Sequence, residues 1–195
     1  MIDFSDVKDL SIGGKSVKEL WIDGKKAWSS QPSINYIPYL RAFKADANLD
    51  YIPTQNTKVE GGFNGDALGN WFVGTQGQAW RFFNAGDNAM YMDVPGGRIR
   101  TAGYVIGIWY EMSAGNHFLN CVPDDQSYQT LTNTSSAKTF SLSTPLWFSN
   151  YSYSWAGQYE DFLCRGFKIY EGNVLTRDYR PAKDDNGVVC FHEEV

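Results

Sequence analysis

The sequence predicts an all-β protein, a two-sheet antiparallel sandwich, and three observations carry that expectation. Short apolar runs recur along the 195 residues, clusters of Gly, Asn, Asp and Pro separate them, and aromatic residues make up 16% of the chain beside 19 glycines. Flat rings pack well on pleated surfaces and glycine supplies the positive φ of tight turns, while stretches with helical periodicity are hard to find. The length suits one sizeable core, since domains usually span about 100–200 residues.

Between the N-terminus and residue 30 the apolar runs are broken at Gly13-Gly14 and Asp23-Gly24. Both are hairpin-turn signals, so three short strands are expected near 7–12, 16–22 and 25–28, a small β meander. Ser29-Ser30-Gln31-Pro32-Ser33 then reads as a linker, which divides the chain into an N-terminal meander and linker (1–30) and a main domain (31–195).

In the main domain, strands are expected over 34–42, 51–52, 58–63, 71–74, 78–83, 89–94, 98–101 and 104–112. They continue over 116–122, 138–142, 146–148, 162–170, 174–180 and 188–191. The nearly continuous apolar run Val105-Ile106-Gly107-Ile108-Trp109-Tyr110 reads as a strand in the middle of the stack. Lys58-Val59-Glu60 alternates like a strand with one wet face.

Charge narrows the function classes. The net charge is −5, from 17 basic and 22 acidic residues, and no run of Lys or Arg forms a stripe able to release counterions from a phosphate backbone. Nucleic acid is therefore not an expected partner. Cys121, Cys164 and Cys190 are odd in number and far apart, so they read as buried free thiols rather than a disulfide framework or a metal cluster. The first residues lack a basic segment followed by an apolar one, and no stretch reaches the roughly 18 apolar residues of a span. Neither a signal peptide nor membrane insertion is expected.

Two stretches resemble a known family. Tyr36-Ile37-Pro38-Tyr39-Leu40-Arg41, Asp50-Tyr51-Ile52-Pro53-Thr54 and Asn56-Thr57-Lys58-Val59-Glu60 are similar to the opening of concanavalin A-like (laminin G-like) jelly-roll domains of bacteriophage and prophage tail proteins. Gly166–Leu175, Arg177-Asp178-Tyr179-Arg180-Pro181-Ala182 and Gly187-Val188-Val189 look like the closing strands of the same domains. Ile12-Gly13-Gly14-Lys15 and Trp21–Trp28 resemble a small β module that precedes such domains. The resemblance implies a jelly-roll sandwich on the virion tail, often trimeric, in contact with other tail proteins and with host envelope sugars. One fold hosts many roles, so the function is argued from side chains.

Jelly-roll glucanases carry paired carboxylates as Glu-x-Asp-x-Glu on one strand, and that run is absent here. Glu111, Asp93 and the Glu160-Asp161 pair have no partner at that spacing and read as solvated surface charges, so no enzyme is expected. His117 and His192 lie far apart, and His117 reads as a turn or strand-edge residue. Loop acids and amides at Asp66, Asp87, Asn88, Asp124 and Asp125 offer oxygens of the kind calcium takes, but no spacing singles them out. No cofactor is expected. Trp71, Trp80, Phe82 and Trp109 sit in strand-like runs and read as core.

The segment Ser149-Asn150-Tyr151-Ser152-Tyr153-Ser154-Trp155-Ala156-Gly157-Gln158-Tyr159 carries the candidate ligand site. In an extended chain Tyr151, Tyr153 and Trp155 project to one side, and with Tyr159 they offer flat rings with polar edges suited to stack on sugars. The same residues would serve equally as a packed strand or a subunit contact. The expected function is a non-catalytic module binding host-surface carbohydrate; the alternatives are a purely structural virion protein and, less favoured, a divergent glycoside hydrolase.

Overall fold

The computed structural model describes residues 11–12, 15–16, 19–22, 25–29, 34–43, 47–77, 79–149, 161–184 and 186–194. The described residues are all β, with no helix. The strands are β1 (Ser11–Ile12), β2 (Lys15–Ser16), β3 (Glu19–Ile22), β4 (Lys25–Ser29), β5 (Asn35–Tyr36), β6 (Leu40–Phe43), β7 (Ala47–Asn48), β8 (Thr57–Gly65), β9 (Trp71–Thr75) and β10 (Arg81–Ala85). They continue with β11 (Ala89–Val94), β12 (Gly97–Ala102), β13 (Tyr110–Gly115), β14 (Phe118–Pro123), β15 (Leu131–Thr134), β16 (Leu146–Phe148), β17 (Asp161–Glu171), β18 (Val174–Lys183) and β19 (Val189–Glu193).

Two antiparallel sheets form a β-sandwich. The smaller has the order β12-β11-β10-β9-β16-β7; the larger has the order β15-β14-β13-β8-β17-β18-β19, with β5 on β18 and β6 on β17. At the N-terminal end, β1 pairs with β2 and β3 with β4, giving two separate ribbons where one strand was expected over 16–22.

Alternation sets which side chains meet between the sheets. Val59 and Phe63 of β8, Met112 and Ala114 of β13, and Phe167 and Ile169 of β17 face inward, as do Phe82 of β10 and Met90 and Met92 of β11. An aromatic cluster marks the centre: Phe63 lies 4.9 Å from Phe72, 6.0 Å from Phe82 and 6.2 Å from Phe162 between ring centroids. A second group stacks Phe148 on Phe167 at 5.4 Å, with Phe191 edge-on to both. Cys121 and Cys164 are free thiols in this core; Cys190 is free and half-buried.

Three expected strands take other forms. Residues 104–109 are a loop, with Ile106 42% exposed. Tyr104 and Tyr110, whose rings lie 5.2 Å apart in the core, anchor its two ends, and the Tyr110 hydroxyl accepts the Val105 N–H. The apolar run thus reflects two buried anchors, a half-buried Ile108 and Trp109 with Ile108 packed on the core, and an exposed tip at 106–107, not a central strand. Tyr104 accepts the Gly65 N–H, and burial pushes its phenol up to about 12.

Residues 51–52 and 138–142 are irregular; the Tyr51 carbonyl accepts the Leu146 N–H, and the Lys138 backbone bonds to a side chain rather than to a strand. The Asn116 side chain donates to the carbonyls of Gln55 and Lys138 and accepts the Lys138 N–H. Beside it the Glu171 carboxylate accepts hydrogen bonds from the hydroxyls of Tyr51, Thr54 and Thr57. Partial burial raises this carboxyl, and the hydroxyls outweigh that and hold it below its ordinary value. Its contribution is therefore fully present above the usual carboxylate range and is lost as pH falls through the depressed folded value. Glu171→Gln is expected to lose about 1–2 kcal/mol near pH 7, with the loss shrinking as pH falls below the usual carboxylate range, read by urea denaturation across that range. A loss that does not change with pH would show the carboxylate charge to be irrelevant.

Candidate functional site

The site begins with a bulge in β17. In β17 the register against β8 shifts between Cys164 and Gly166, so Arg165 is an extra residue opposite the Gly62 position. Cys164 and Phe167 remain in the core, and Arg165 is aimed onto the outer face of the larger sheet, as bulges commonly re-aim a side chain. The bulge falls where β17 changes partner, from β6 over 161–164 to β18 from Phe167 onward. Gly166 has φ +115°, a backbone conformation that side chains strongly disfavour.

Gly166 and Gly62 are cross-strand neighbours, and Gly62 in turn pairs with Glu111. That row of the outer face therefore lacks side chains at its middle. The result is a groove of about 530 Å³ across β13, β8, β17 and β18, lined among others by Tyr36, Glu60, Lys168, Tyr170, Asp178 and Arg180. A methyl on Gly62 would stand 2.8 Å from Arg165 Nε and 3.0 Å from Glu111 Oε1, which shows how closely the guanidinium lies over this floor.

Arg165 is held on three sides. It donates to both oxygens of Asp124, at 2.7 and 3.0 Å, and to Glu111 Oε1 at 2.7 Å. Its guanidinium lies 4.4 Å from the Trp109 ring, and Trp109 leans on Tyr39 at 5.9 Å. The bond it donates to Asp124 keeps the guanidinium charge even more secure than usual. Arg165 Nε is buried and has no hydrogen-bond partner among the described residues.

The next row of the face is a ladder of alternating charges. Lys168 pairs with Asp178 at 3.3 Å, Lys58 with Glu60 at 2.8 Å, and Arg180 with Glu194 at 3.1 Å. Lys58 also lies over the Tyr170 ring at 4.3 Å, and the Tyr36 hydroxyl donates to Glu194 at 2.6 Å. Asp178 is the buried member, its side chain 8% exposed. The arrangement presents donors, acceptors and ring faces together above a floor of backbone.

The residues singled out from sequence fall in several places. Tyr151, Tyr153, Trp155 and Tyr159 lie outside the described residues, as do Asn150 and Glu160. The chain on either side of them is fixed: Ser149 N–H donates to the Phe72 carbonyl at 2.9 Å, and Asp161 N–H donates to Asn70 Oδ1 at 2.8 Å.

The loop oxygens do not converge. Asp66 pairs with Arg41, Asp87 with Arg100, and Asp124 with Arg165, while Asp125 accepts from Ser127. Asn88, in the β10–β11 turn, lends its carbonyl to Gly103 and Tyr104. No group of three His, Cys, Asp or Glu able to hold a metal occurs among the described residues.

Asp93 is not a solvated charge. It is buried on the outer face of the smaller sheet, bonded by Arg81 at 2.7 Å and Arg98 at 2.6 Å, because its neighbours in register on β10 and β12 are those arginines. Asp161 is likewise shielded in a paired bond with Arg41. Glu111 is exposed as expected, but it belongs to the groove. His117 lies in the β13–β14 turn.

Trp80 and Phe82 are core, whereas Trp71 is buried in a separate cluster with Phe83 and Tyr91 on the outer side of the smaller sheet. Trp109 is half-buried beside the groove. Arg165, Lys168, Asp178, Gly62 and Gly166 went unmarked as site residues in the sequence, although three of them lie in the stretches that carry the resemblance; their signals were the paired glycines at 61–62 and an Arg-Gly step inside an apolar strand.

No protein-family model matches this sequence, and no curated protein matches it.

Proposed function

We propose that the chain is a non-catalytic recognition module that binds a host-surface saccharide in the groove over Gly62 and Gly166, in the setting of a bacteriophage or prophage tail. The glycine floor carries this reading: two side-by-side residues without side chains leave a trough on the sheet face, with Arg165 close over Gly62, and polar groups and aromatic rings border it. Sugars need that combination, because their rings present apolar faces and their hydroxyls both donate and accept. Arg165, Lys168, Arg180, Glu60 and Asp178 supply charge-assisted partners, and Tyr36 and Tyr170 supply ring surface. The groove's carboxylates are engaged by cations, which favours binding over proton transfer.

The tail setting rests on the resemblance at residues 36–60 and 166–189. Weak single sites of this kind become useful when several are displayed together.

Gly62→Ala is the test. Its methyl would meet the side chains of Arg165 and Glu111 and no backbone atom, so the fold is expected to survive while the trough fills and Arg165 shifts. In a multivalent glycan array the wild-type chain is expected to bind a subset of saccharides and the variant to bind them at least about tenfold less, a loss of about 1.4 kcal/mol. Equal binding by a folded variant would move the site elsewhere, with residues 151–159 as the first place to look.

A further inference from the structure

Resting on the saccharide reading, the charge pattern of the groove narrows the ligand class. Among the charged residues that line the groove and the groups they pair with, four cations (Lys58, Arg165, Lys168, Arg180) meet five carboxylates (Glu60, Glu111, Asp124, Asp178, Glu194), and each cation is already within ion-pair distance of one of them. Four positive and five negative charges leave the surface near neutral, with a net charge of −1. We infer that the groove selects a neutral, hydroxyl-rich saccharide and discriminates against saccharides carrying carboxylate or phosphate groups.

The physical reason is the difference between an ion and a diol at a paired site. An anionic sugar would have to take a cation from its carboxylate, leaving that carboxylate beside a second negative charge. Arg165 shows the obstacle plainly, since Asp124 and Glu111 occupy both of its terminal nitrogens. A neutral diol faces no such exchange. A carboxylate in an ion pair keeps unused lone pairs and an ammonium keeps unused N–H groups, so adjacent hydroxyls can donate to one and accept from the other without separating the pair. The Lys168–Asp178 and Lys58–Glu60 pairs are side by side on neighbouring strands, where Lys168 is opposite both Glu60 and Asp178.

The glycine row adds a direction. From β13 to β18 there are three inter-strand steps of about 4.8 Å, so the trough spans about 14 Å across the strands, the length of a short linear oligosaccharide. Ionic strength should then matter little to binding, since no net charge is neutralised.

The experiment presents the full chain with matched neutral oligosaccharides and their uronate, sialylated or phosphorylated counterparts, all at equal density, at low and moderate salt. The expected result is binding of neutral members with at least tenfold preference and little salt dependence. In the Glu60→Gln/Asp178→Asn variant, which shifts the groove from −1 to +1, that preference should shrink. Tighter binding of anionic members, abolished in Gly62→Ala, would overturn the neutral preference and leave the saccharide reading standing. Binding of neutral members unaffected by Gly62→Ala would overturn the assignment to this groove. No binding of any saccharide in the multivalent format would overturn both.

Discussion

A single methyl group at Gly166 is expected to cost about 3 kcal/mol or more of stability and to disorganise the groove. A residue with a side chain at φ +115° is strained by roughly 1–3 kcal/mol before any contact is considered. The added carbon would also stand 2.7 Å from the Tyr179 carbonyl oxygen, a backbone atom of the neighbouring strand that cannot rotate away. Strands β17 and β18 would have to separate where β17 exchanges β6 for β18. Arg165 is the bulged residue immediately before, so its aim over Gly62 would be lost with the register. Urea denaturation of Gly166→Ala beside Gly62→Ala separates the two effects. A large loss is expected at Gly166 and a smaller one at Gly62, where the added carbon meets side chains and not backbone. Equal, small losses would mean that the bulge is not held by Gly166.

Phe63→Ala is expected to cost about 3–5 kcal/mol, the range for removing a large buried ring. Phe63 is fully buried at the meeting of both sheets, with Phe72, Phe82 and Phe162 around it. Because those rings come from β8, β9, β10 and β17, the cavity would not be closed by moving one strand. In a protein of this size the melting temperature should fall by roughly 6–20 °C. Ile106→Ala, at the exposed tip of the 104–109 loop, is expected to change stability by no more than about 0.5 kcal/mol. A comparable loss at Ile106 would contradict the loop's placement.

The two substitutions also mark what sequence alone discloses. Strands such as Ala89–Val94 and Leu146–Phe148 were legible to the residue, because turn residues bound them on both sides and their apolar content has no other use. The 104–109 run misled because hydrophobicity reports burial and not strand pairing, and here Tyr104, Ile108 and Tyr110 are drawn to the core from a loop. Asp93 misled in the opposite sense. Its partners Arg81 and Arg98 lie only 12 and 5 positions away, but the sequence does not show that both flank it across the strands; the register of β10, β11 and β12 does.

The groove was invisible for a related reason. Glycines within strands read as weak spots, and their meaning appears only when Gly62 and Gly166, 104 positions apart, are paired across β8 and β17. The aromatic alternation at 151–159 was legible as chemistry, but not as a place in the fold.

The most direct test of the central claim is to map backbone amide shifts of the isotope-labelled chain on titration with a neutral oligosaccharide selected from the array. Shifts centred on Gly61, Gly62, Arg165, Gly166, Lys168 and Arg180 are the expected result. Shifts confined to residues 150–160, with the amides of β8 and β17 unmoved, would contradict it.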